Sequence, residues 1–127
     1  MSTEPTTFYE AVGGLPFFEA LVDRFYEGVA ADPDLLALYP EPQHLAPARR
    51  RLALFLAEYW GGPPDYSEER GHPRLRIRHA AFPIGEAQRD AWLAHMRAAV
   101  EHLAPPEGVA GPLLEYFAMG AEAVRNR

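Results

Sequence analysis

The sequence predicts an all-α protein, and three observations agree on this. Four stretches carry apolar residues three and four positions apart, which is the spacing of one helix face. Glycines and prolines separate those stretches and stop each helix. No stretch alternates apolar and polar residues as a half-buried strand does. We therefore expect five or six helices in one domain over residues 1–127, with residues 1–6 as a loose tail.

The first two helices are predicted from capping residues and from one apolar stripe. Thr7 is a capping residue with Glu10 three positions later, so a short helix begins there and ends at Gly13-Gly14. A longer helix begins near Leu15 and ends before Asp32. Its apolar stripe consists of Phe18, Leu21, Val22, Phe25, Tyr26 and Val29.

The middle of the chain is predicted to contain one turn, one helix and one loop. Residues 34–42 form a short segment bounded by prolines, so we expect a single turn there. A helix follows over residues 46–59, and residues 61–73 are predicted as a polar loop that covers the edge of a ligand. The inner stripe of the helix consists of Leu52, Phe55, Leu56 and Tyr59.

Three further helices complete the prediction. They cover residues 75–82, residues 86–103 and residues 112–124. The stripe of the second consists of Trp92, Met96, Val100 and Leu103. The last helix presents Leu113, Leu114, Phe117, Ala121 and Val124. Each stripe supplies an apolar face, so we expect these helices to pack around a common core.

Composition excludes several classes of protein. The chain has 127 residues, a formal net charge of -6 and no cysteine. The negative charge argues against a dedicated nucleic-acid binder, and the lack of cysteine excludes disulfides and thiolate metal sites. No apolar run approaches the roughly 20 residues of a membrane span. The start of the chain lacks the features of a signal peptide, so we expect a cytoplasmic protein without membrane contact.

The stretch from Leu75 to Phe82 carries the chemistry. Leu75, His79 and Phe82 fall on one helix face, so His79 has apolar helical neighbours, while Arg74 and Arg78 share another stripe. This arrangement suits haem, because an imidazole can ligate its iron and guanidinium groups can pair with its propionates. The alternative is a surface helix in which His79 is only a partly buried side chain.

Motifs along the whole chain carry a family resemblance. They are Thr7-Phe8-Tyr9-Glu10-Ala11-Val12-Gly13-Gly14, Arg24-Phe25-Tyr26, Tyr39-Pro40-Glu41, Phe55-Leu56-Ala57-Glu58-Tyr59-Trp60-Gly61-Gly62-Pro63, Tyr66-Ser67-Glu68, Arg70-Gly71-His72-Pro73-Arg74-Leu75-Arg76, His79 and Arg89-Asp90-Ala91-Trp92-Leu93. In this order and spacing they resemble the truncated haemoglobins, specifically group II. The resemblance implies a truncated globin fold, which is a two-over-two helical sandwich around one haem b, with His79 as the proximal iron ligand.

The resemblance also implies a polar distal pocket. Tyr26, Tyr39 and Trp92 match the family's distal residues, whereas without the family Tyr26 and Trp92 would be interpreted as core aromatics. Tyr39 either contacts the ligand itself or orients Tyr26. Phenol O–H and indole N–H groups are hydrogen-bond donors on rigid apolar frames. One such bond to a charged acceptor contributes about 1.5–3 kcal/mol. Ala48 matches the position where many globins have a distal histidine, so small ligands could enter the pocket there.

Further residues are expected to contact the cofactor. Leu52 and Phe55 match apolar pocket residues. One of Arg49, Arg50 and Arg51 is expected to face a propionate, and the match to the family favours Arg51. His72 and Arg74 either contact a propionate or cap the helix that follows them. The full set of expected cofactor-binding residues is Ala48, Arg51, Leu52, Phe55, Tyr66, His72, Arg74, Arg76, Arg78, His79 and Phe82.

Three functions remain open at this point. The first is a haem protein that binds dioxygen tightly and uses it, or a peroxide, in redox chemistry such as nitric oxide detoxification or peroxidase-like turnover. Such a protein needs a separate reductase, because the chain has no glycine-rich phosphate loop. The second is a non-catalytic oxygen store or a sensor of diatomic gases such as O2, CO and NO. The third is a helical interaction module without a cofactor. A homodimer is expected on family grounds only.

Overall fold

The computed structural model describes residues 7–127, so the predicted tail of residues 1–6 lies outside the described residues. In the described range the chain forms helices and no strand. None of these helices is both long enough and apolar enough to cross a membrane. The helices are α1 (Phe8–Ala11), α2 (Leu15–Ala30), α3 (Pro33–Leu36), α4 (Ala46–Tyr59), α5 (Asp65–Arg70), α6 (Leu75–His79), α7 (Glu86–Leu103) and α8 (Ala110–Ala123).

The four long helices form two pairs. Helix α2 packs against α4, α7 packs against α8, and a contact between α2 and α7 joins the pairs. This is the two-over-two helical sandwich that the family resemblance implied, and the prediction is confirmed. The stripe predicted for α2 is confirmed, because its six residues are the buried residues of this helix. Met96, which lies on α7, has no exposed surface and fills the core between the pairs.

Several helix ends are where the capping residues predict them. The Thr7 hydroxyl accepts a hydrogen bond from the backbone N–H of Glu10 at 3.1 Å, which caps α1. Asp32 accepts one from the backbone N–H of Leu35 at 3.3 Å, so the single turn predicted after α2 is the short helix α3. The predicted bounds of α4 and α7 agree with the structure.

The prediction of one loop over residues 61–73 is wrong in its centre, which forms α5. This helix has six residues, with acidic Asp65 and Glu68 in its first turn and basic Arg70 in its last. That charge order favours a helix because it complements the helix dipole. A helix of less than two turns is too short to display a period, so the expected five or six helices are fewer than the structure contains over residues 7–127.

Helix α4 turns only part of its predicted stripe into the core, because Leu56 is buried as predicted and the other three residues are not. Its buried residues are Ala53, Leu54, Leu56 and Ala57. Two of these are alanines, whose small side chains let α4 lie close to α2. Tyr59 was predicted on the inner stripe, but it is 54% exposed, so that assignment is wrong. Leu52 and Phe55 are half-buried and line a cavity instead.

The glycine pair after α4 lets the start of the chain pack against it. The backbone N–H of Tyr9 donates to the carbonyl of Trp60 at 2.9 Å. Gly61 has a φ of +102°, and a Cβ there would lie 2.8 Å from the Cβ of Thr7. A Cβ on Gly62 would lie 2.7 Å from the ring of Tyr9. Both positions therefore require glycine.

Candidate functional site

A large cavity lies among seven helices of the fold, α2 to α8. Its volume is about 710 Å³, within the range typical of small-molecule and cofactor sites. Its walls are mainly aliphatic and aromatic. The lining residues are Tyr26, Leu35, Leu38, Tyr39, Pro40, Ala48, Arg51, Leu52, Phe55, Leu56, Tyr66, Arg70, Leu75, Arg78, His79, Phe82, Ile84, Trp92, Tyr116, Phe117, Gly120, Ala121 and Val124.

His79 is the only histidine that lines this cavity among the described residues. Leu75 and Phe82 line it too, as the predicted helix face requires, although α6 ends at His79 rather than at Phe82. The Nδ1 atom of His79 lies 2.6 Å from the carbonyl oxygen of Leu75. A carbonyl only accepts, so Nδ1 carries the proton and Nε2 keeps the free lone pair. An imidazole in this tautomer is ready to ligate a metal through Nε2.

Asn126, near the end of the chain, clamps the segment that carries His79. Its side-chain amide donates to the carbonyl of Phe82 at 2.8 Å and to the carbonyl of His79 at 3.2 Å. Its amide oxygen accepts from the backbone N–H of Ile84 at 3.0 Å. The C-terminal segment therefore restrains the end of α6 and the link to α7.

We expect Asn126→Ala to loosen this segment. The variant loses three side-chain hydrogen bonds of an exposed residue, and each such bond contributes about 0.5–1.5 kcal/mol. The free energy of unfolding should fall by at least about 1.5 kcal/mol, the lower end for three such bonds, and haem should leave faster because His79 is less restrained. Urea unfolding and haem transfer to an acceptor protein measure the two effects. Asn126→Asp keeps the acceptor for the N–H of Ile84 but places a carboxylate oxygen against the carbonyls of Phe82 and His79, so it should destabilise the segment at least as much as alanine does. Unchanged haem transfer in Asn126→Ala would contradict this role.

Three hydrogen-bonding side chains enter the cavity from different parts of the chain. Tyr26 comes from α2, Trp92 from α7, and Tyr39 from the segment between α3 and α4. The side chain of Tyr39 lies next to those of both Tyr26 and Trp92. The rings of Tyr26 and Tyr39 meet edge-on with centroids 5.7 Å apart. The three polar groups therefore form one connected cluster, which we call the donor cluster.

Burial keeps both phenols of the donor cluster protonated. Desolvation raises the pKa of Tyr26, although its hydrogen bond with Tyr39 and the nearby charges of Arg51 and Arg49 act in the opposite direction. Desolvation and the neighbouring Tyr26 raise the pKa of Tyr39 far above its usual range. Both groups thus retain an O–H that can donate to a ligand at neutral pH.

Three arginines line the cavity: Arg51, Arg70 and Arg78. No carboxylate of the described part of the chain joins them there. The other two arginines of α4 are paired elsewhere, Arg49 with Asp23 and Arg50 with Glu69. The guanidinium groups at the cavity are therefore available to an acidic ligand, apart from the bonds of Arg78 to two backbone carbonyls.

The remaining predicted contacts lie away from the cavity. His72, Arg74 and Arg76 are exposed and do not line it. The Nδ1 atom of His72 accepts a hydrogen bond from the backbone N–H of Arg74, and Arg74 is the N-cap residue of α6. This geometry favours the capping alternative for His72 and Arg74. The other predicted residues, Ala48, Leu52, Phe55, Tyr66, Arg78, His79 and Phe82, with Arg51, line the cavity.

The sequence prediction missed parts of the cavity wall. Arg70 was missed because α5 was predicted as a loop, although its charge order would have indicated a helix. Tyr116 and Gly120 of α8 and Val124, its C-cap residue, line the cavity at intervals of four. These residues form a second face of the helix. It was missed because the helix also has a stronger apolar stripe, which packs into the core.

The residues present fit haem b. The cavity combines apolar walls with one histidine whose Nε2 is free, and with arginines that no cavity carboxylate neutralises. A macrocycle with an iron and two carboxylates needs these three features. The fold and the cavity together define a small haem-binding protein of the globin class.

Comparisons with known proteins agree with the assignment to the globin class. The model of the bacterial-like globin family matches residues 7–126, and the chain therefore belongs to the bacterial-like globins. A thermostable hemoglobin from Thermobifida fusca is 58% identical, with a TM-score of 0.92 over 95% of this chain and 98% of that one. A truncated haemoglobin structure from Bacillus subtilis is 40% identical, with a TM-score of 0.86 over 93% and 98%. The group 2 truncated hemoglobin of Bacillus subtilis (strain 168) is 44% identical over 86% of this chain and 77% of its own.

Family membership decides between some of the functions left open. The protein is a group II truncated haemoglobin that binds haem b and, through it, small gaseous ligands such as O2. The helical interaction module without a cofactor is thereby set aside. The chemistry performed with the bound gas is a separate question.

Proposed function

We propose that this protein binds dioxygen tightly and uses it, or nitric oxide or a peroxide, in redox chemistry. The observation that carries the proposal is the donor cluster of Tyr26, Tyr39 and Trp92 in the cavity. Two phenols and an indole can hold a polar diatomic ligand far more tightly than an apolar wall can, and tight retention suits chemistry better than delivery. The Bacillus subtilis relative is described as oxygen-avid, which supports this choice.

In this proposal His79 ligates the haem iron through Nε2, and the Leu75 carbonyl holds the ring in the required tautomer. Arg51, Arg70 and Arg78, which line the cavity, would pair with the propionates. When bound, haem supplies an iron that binds diatomic ligands reversibly and exchanges electrons. The protein supplies the orientation of the cofactor and the hydrogen-bond donors.

The apolar residues of the cavity hold the faces of the macrocycle and exclude water. Leu52 and Phe55 do so from α4, Tyr66 from α5 and Phe82 from the segment after α6. Exclusion of water strengthens the hydrogen bonds of the donor cluster. Ala48 lines the cavity with only a methyl group, which leaves room for a small ligand to pass.

Redox turnover also requires partners outside this chain. A separate reductase would return oxidised iron to the ferrous state, and the lack of cysteine favours a reducing, cytoplasmic setting. A homodimer is the assembly that the family resemblance suggests, and sedimentation of the purified protein tests it.

The first experiment is spectroscopy of the purified, haem-loaded protein. Spectra of the ferric form, the reduced form and the reduced form with carbon monoxide should show a Soret band that shifts at each step. Stopped-flow mixing then measures oxygen dissociation, followed by the reactions of the oxygen-loaded protein with nitric oxide and of the ferric protein with hydrogen peroxide. Slow oxygen release with turnover of one of these substrates is the expected result. Fast oxygen release without turnover would support an oxygen store or gas sensor instead.

We expect Arg51→Ala to speed haem loss. Arg51 lines the cavity and has no carboxylate partner among residues 7–127, so its charge is available to a propionate. An exposed ion pair contributes about 0.2–1 kcal/mol, which corresponds to an increase of up to about fivefold in the rate of haem transfer to an acceptor protein. Arg50→Ala is the matched control, because Arg50 pairs with Glu69 and does not line the cavity. Equal rates in both variants would remove Arg51 from the site.

A further inference from the structure

The segment around α6, the helix that carries His79, is strongly basic. Residues 70–78 include four arginines, and no aspartate or glutamate occurs between residues 70 and 85. The chain as a whole has 18 acidic and 12 basic residues and a formal net charge of -6. A third of its basic residues therefore lies in one short segment of an acidic protein.

Two of these four arginines have no role at the cavity. Arg70 and Arg78 line it, but Arg74 and Arg76 are exposed and do not. Neither Arg74 nor Arg76 pairs with a carboxylate of residues 7–127. Their charges are therefore available to a molecule outside the protein.

An exposed apolar side chain lies beside these arginines. Ile77 is 72% exposed, more than any other large hydrophobic residue in the described part of the chain. Helical spacing puts it next to Arg74, Ala80 and Ala81, and both alanines are exposed as well. We call Arg74, Arg76, Ile77, Ala80 and Ala81 the α6 patch. An apolar centre with charged residues at its edge is the arrangement found in protein–protein interfaces.

The α6 patch lies on the outer side of the helix that positions the candidate iron ligand. Ile77 precedes His79 by two residues, and Ala80 follows it directly. His79 lines the cavity, whereas the patch is exposed to solvent. A helix with its side chains is about 10–12 Å across, so a protein docked on the patch is separated from the cavity by about that distance. Electron transfer between proteins slows steeply with distance, and this surface gives a donor a short route to the haem.

We propose that the α6 patch is the docking surface for an acidic one-electron carrier protein of the ferredoxin class, which returns the oxidised iron to the ferrous state. The inference rests on the proposed function, which requires a separate reductase, and it names the partner and the surface. Carriers of this class combine a low reduction potential with a surface charge opposite to that of the patch. In each encounter the iron–sulfur cluster loses one electron and the ferric iron gains it, and no proton or atom is transferred.

A small patch is sufficient for this kind of partner. Electron-transfer complexes are among the smallest protein interfaces, because the partners must separate after each encounter. Opposite charges orient the carrier during its approach, and an exposed apolar residue such as Ile77 provides the close contact.

Other occupants fit the α6 patch less well. In a symmetric dimer through this surface, Arg74 and Arg76 of one copy would lie near the same residues of the other, and like charges would oppose each other. A nucleic acid or an anionic membrane would meet the negative field of a chain with a net charge of -6. Phosphate groups would also make no use of the exposed Ile77.

The test measures how fast reduced plant-type [2Fe–2S] ferredoxin reduces the ferric, haem-loaded protein in an anaerobic stopped-flow instrument. Arg74→Glu/Arg76→Glu should slow this bimolecular reaction at least about tenfold, the lower end of the effect of electrostatic steering. Added salt should slow the wild-type reaction and affect the variant much less. Titration calorimetry with oxidised ferredoxin measures the complex directly. Ile77→Gln should weaken that complex without changing its dependence on salt.

Arg24→Glu/Arg97→Glu is the matched control. Arg24 lies on α2 and Arg97 on α7, and both are exposed and away from the cavity. Each double variant lowers the formal net charge from -6 to -10, because one Arg→Glu replacement changes it by two. At about 0.15 M salt, charges more than about 8 Å apart are largely screened, so the control should react at close to the wild-type rate. Photoreduced lumiflavin, a small uncharged donor, should reduce all variants equally.

The outcomes separate this inference from the proposed function. If both double variants slow equally, net charge rather than the α6 patch controls the reaction and the inference is overturned. It is also overturned, while the proposed function stands, if lumiflavin reduces the wild-type protein and ferredoxin does not. A dimer that only Arg74→Glu/Arg76→Glu dissociates in sedimentation would assign the patch to a second copy instead. If neither donor reduces the ferric protein, redox turnover fails and the inference fails with it.

Discussion

Replacing His79 with alanine is expected to have the largest effect on haem of any single substitution in this protein. His79 is the only histidine at the cavity among the described residues, and its Nε2 has the free lone pair. The variant should lose or strongly alter the Soret band, lose the shifts on reduction and carbon monoxide binding, and release haem much faster. Absorption spectra and haem transfer to an acceptor protein measure these changes.

A neutral control and a chemical rescue make the His79 experiment decisive. His102→Ala removes an exposed histidine that does not line the cavity and should leave the spectrum unchanged. Free imidazole should restore much of the spectrum of His79→Ala, because it can occupy the vacated space and ligate the iron. A wild-type spectrum in His79→Ala would show that another residue holds the iron.

Replacing Trp92 with phenylalanine is expected to raise the oxygen dissociation rate at least about tenfold, because a lost hydrogen bond to a charged acceptor costs about 1.5–3 kcal/mol. The substitution keeps an aromatic ring against Phe25 and Phe117, whose centroids lie 5.0 and 5.8 Å from that of Trp92. The fold should therefore survive, and the change should report the indole N–H. Stopped-flow displacement of oxygen measures the rate.

The other tryptophan of the chain provides the control for Trp92. Trp60→Phe removes an indole N–H that has no hydrogen-bond partner in the described structure and that does not line the cavity. Its oxygen dissociation rate should equal that of the wild type. A change of less than about twofold in Trp92→Phe, well under the range of one such hydrogen bond, would show that Trp92 is only a core residue.

Much of the fold follows from local patterns. The stripe of α2 and the bounds of α4 and α7 were predicted because each helix is long enough to repeat its apolar period several times. The short helix α5 was missed because six residues cannot show that period. Tyr59 was placed inside because helical spacing puts it on the stripe of Leu52, and spacing does not show where a neighbouring helix ends.

Part of the candidate site was predictable because some of its residues lie close together in the sequence. Local sequence places His79, Leu75 and Phe82 on one face, and the structure places all three at one cavity. The positive charges of Arg49, Arg50 and Arg51 did not show which of the three lies at the cavity. Arg49 and Arg50 find acidic partners on α2 and α5, which leaves Arg51 as the arginine of α4 at the cavity.

The sequence by itself determined the helical class, the long helices and the one histidine suited to haem iron, because each depends on residues close together in the chain. Only the tertiary structure decided that Tyr26, Tyr39 and Trp92 meet in one polar cluster at the cavity, that Asn126 restrains the segment of His79, and that the ring of Tyr59 lies against that of Tyr116. The physical reason is that these contacts join residues far apart in sequence. They exist only once the two helix pairs have packed against each other and brought those side chains together.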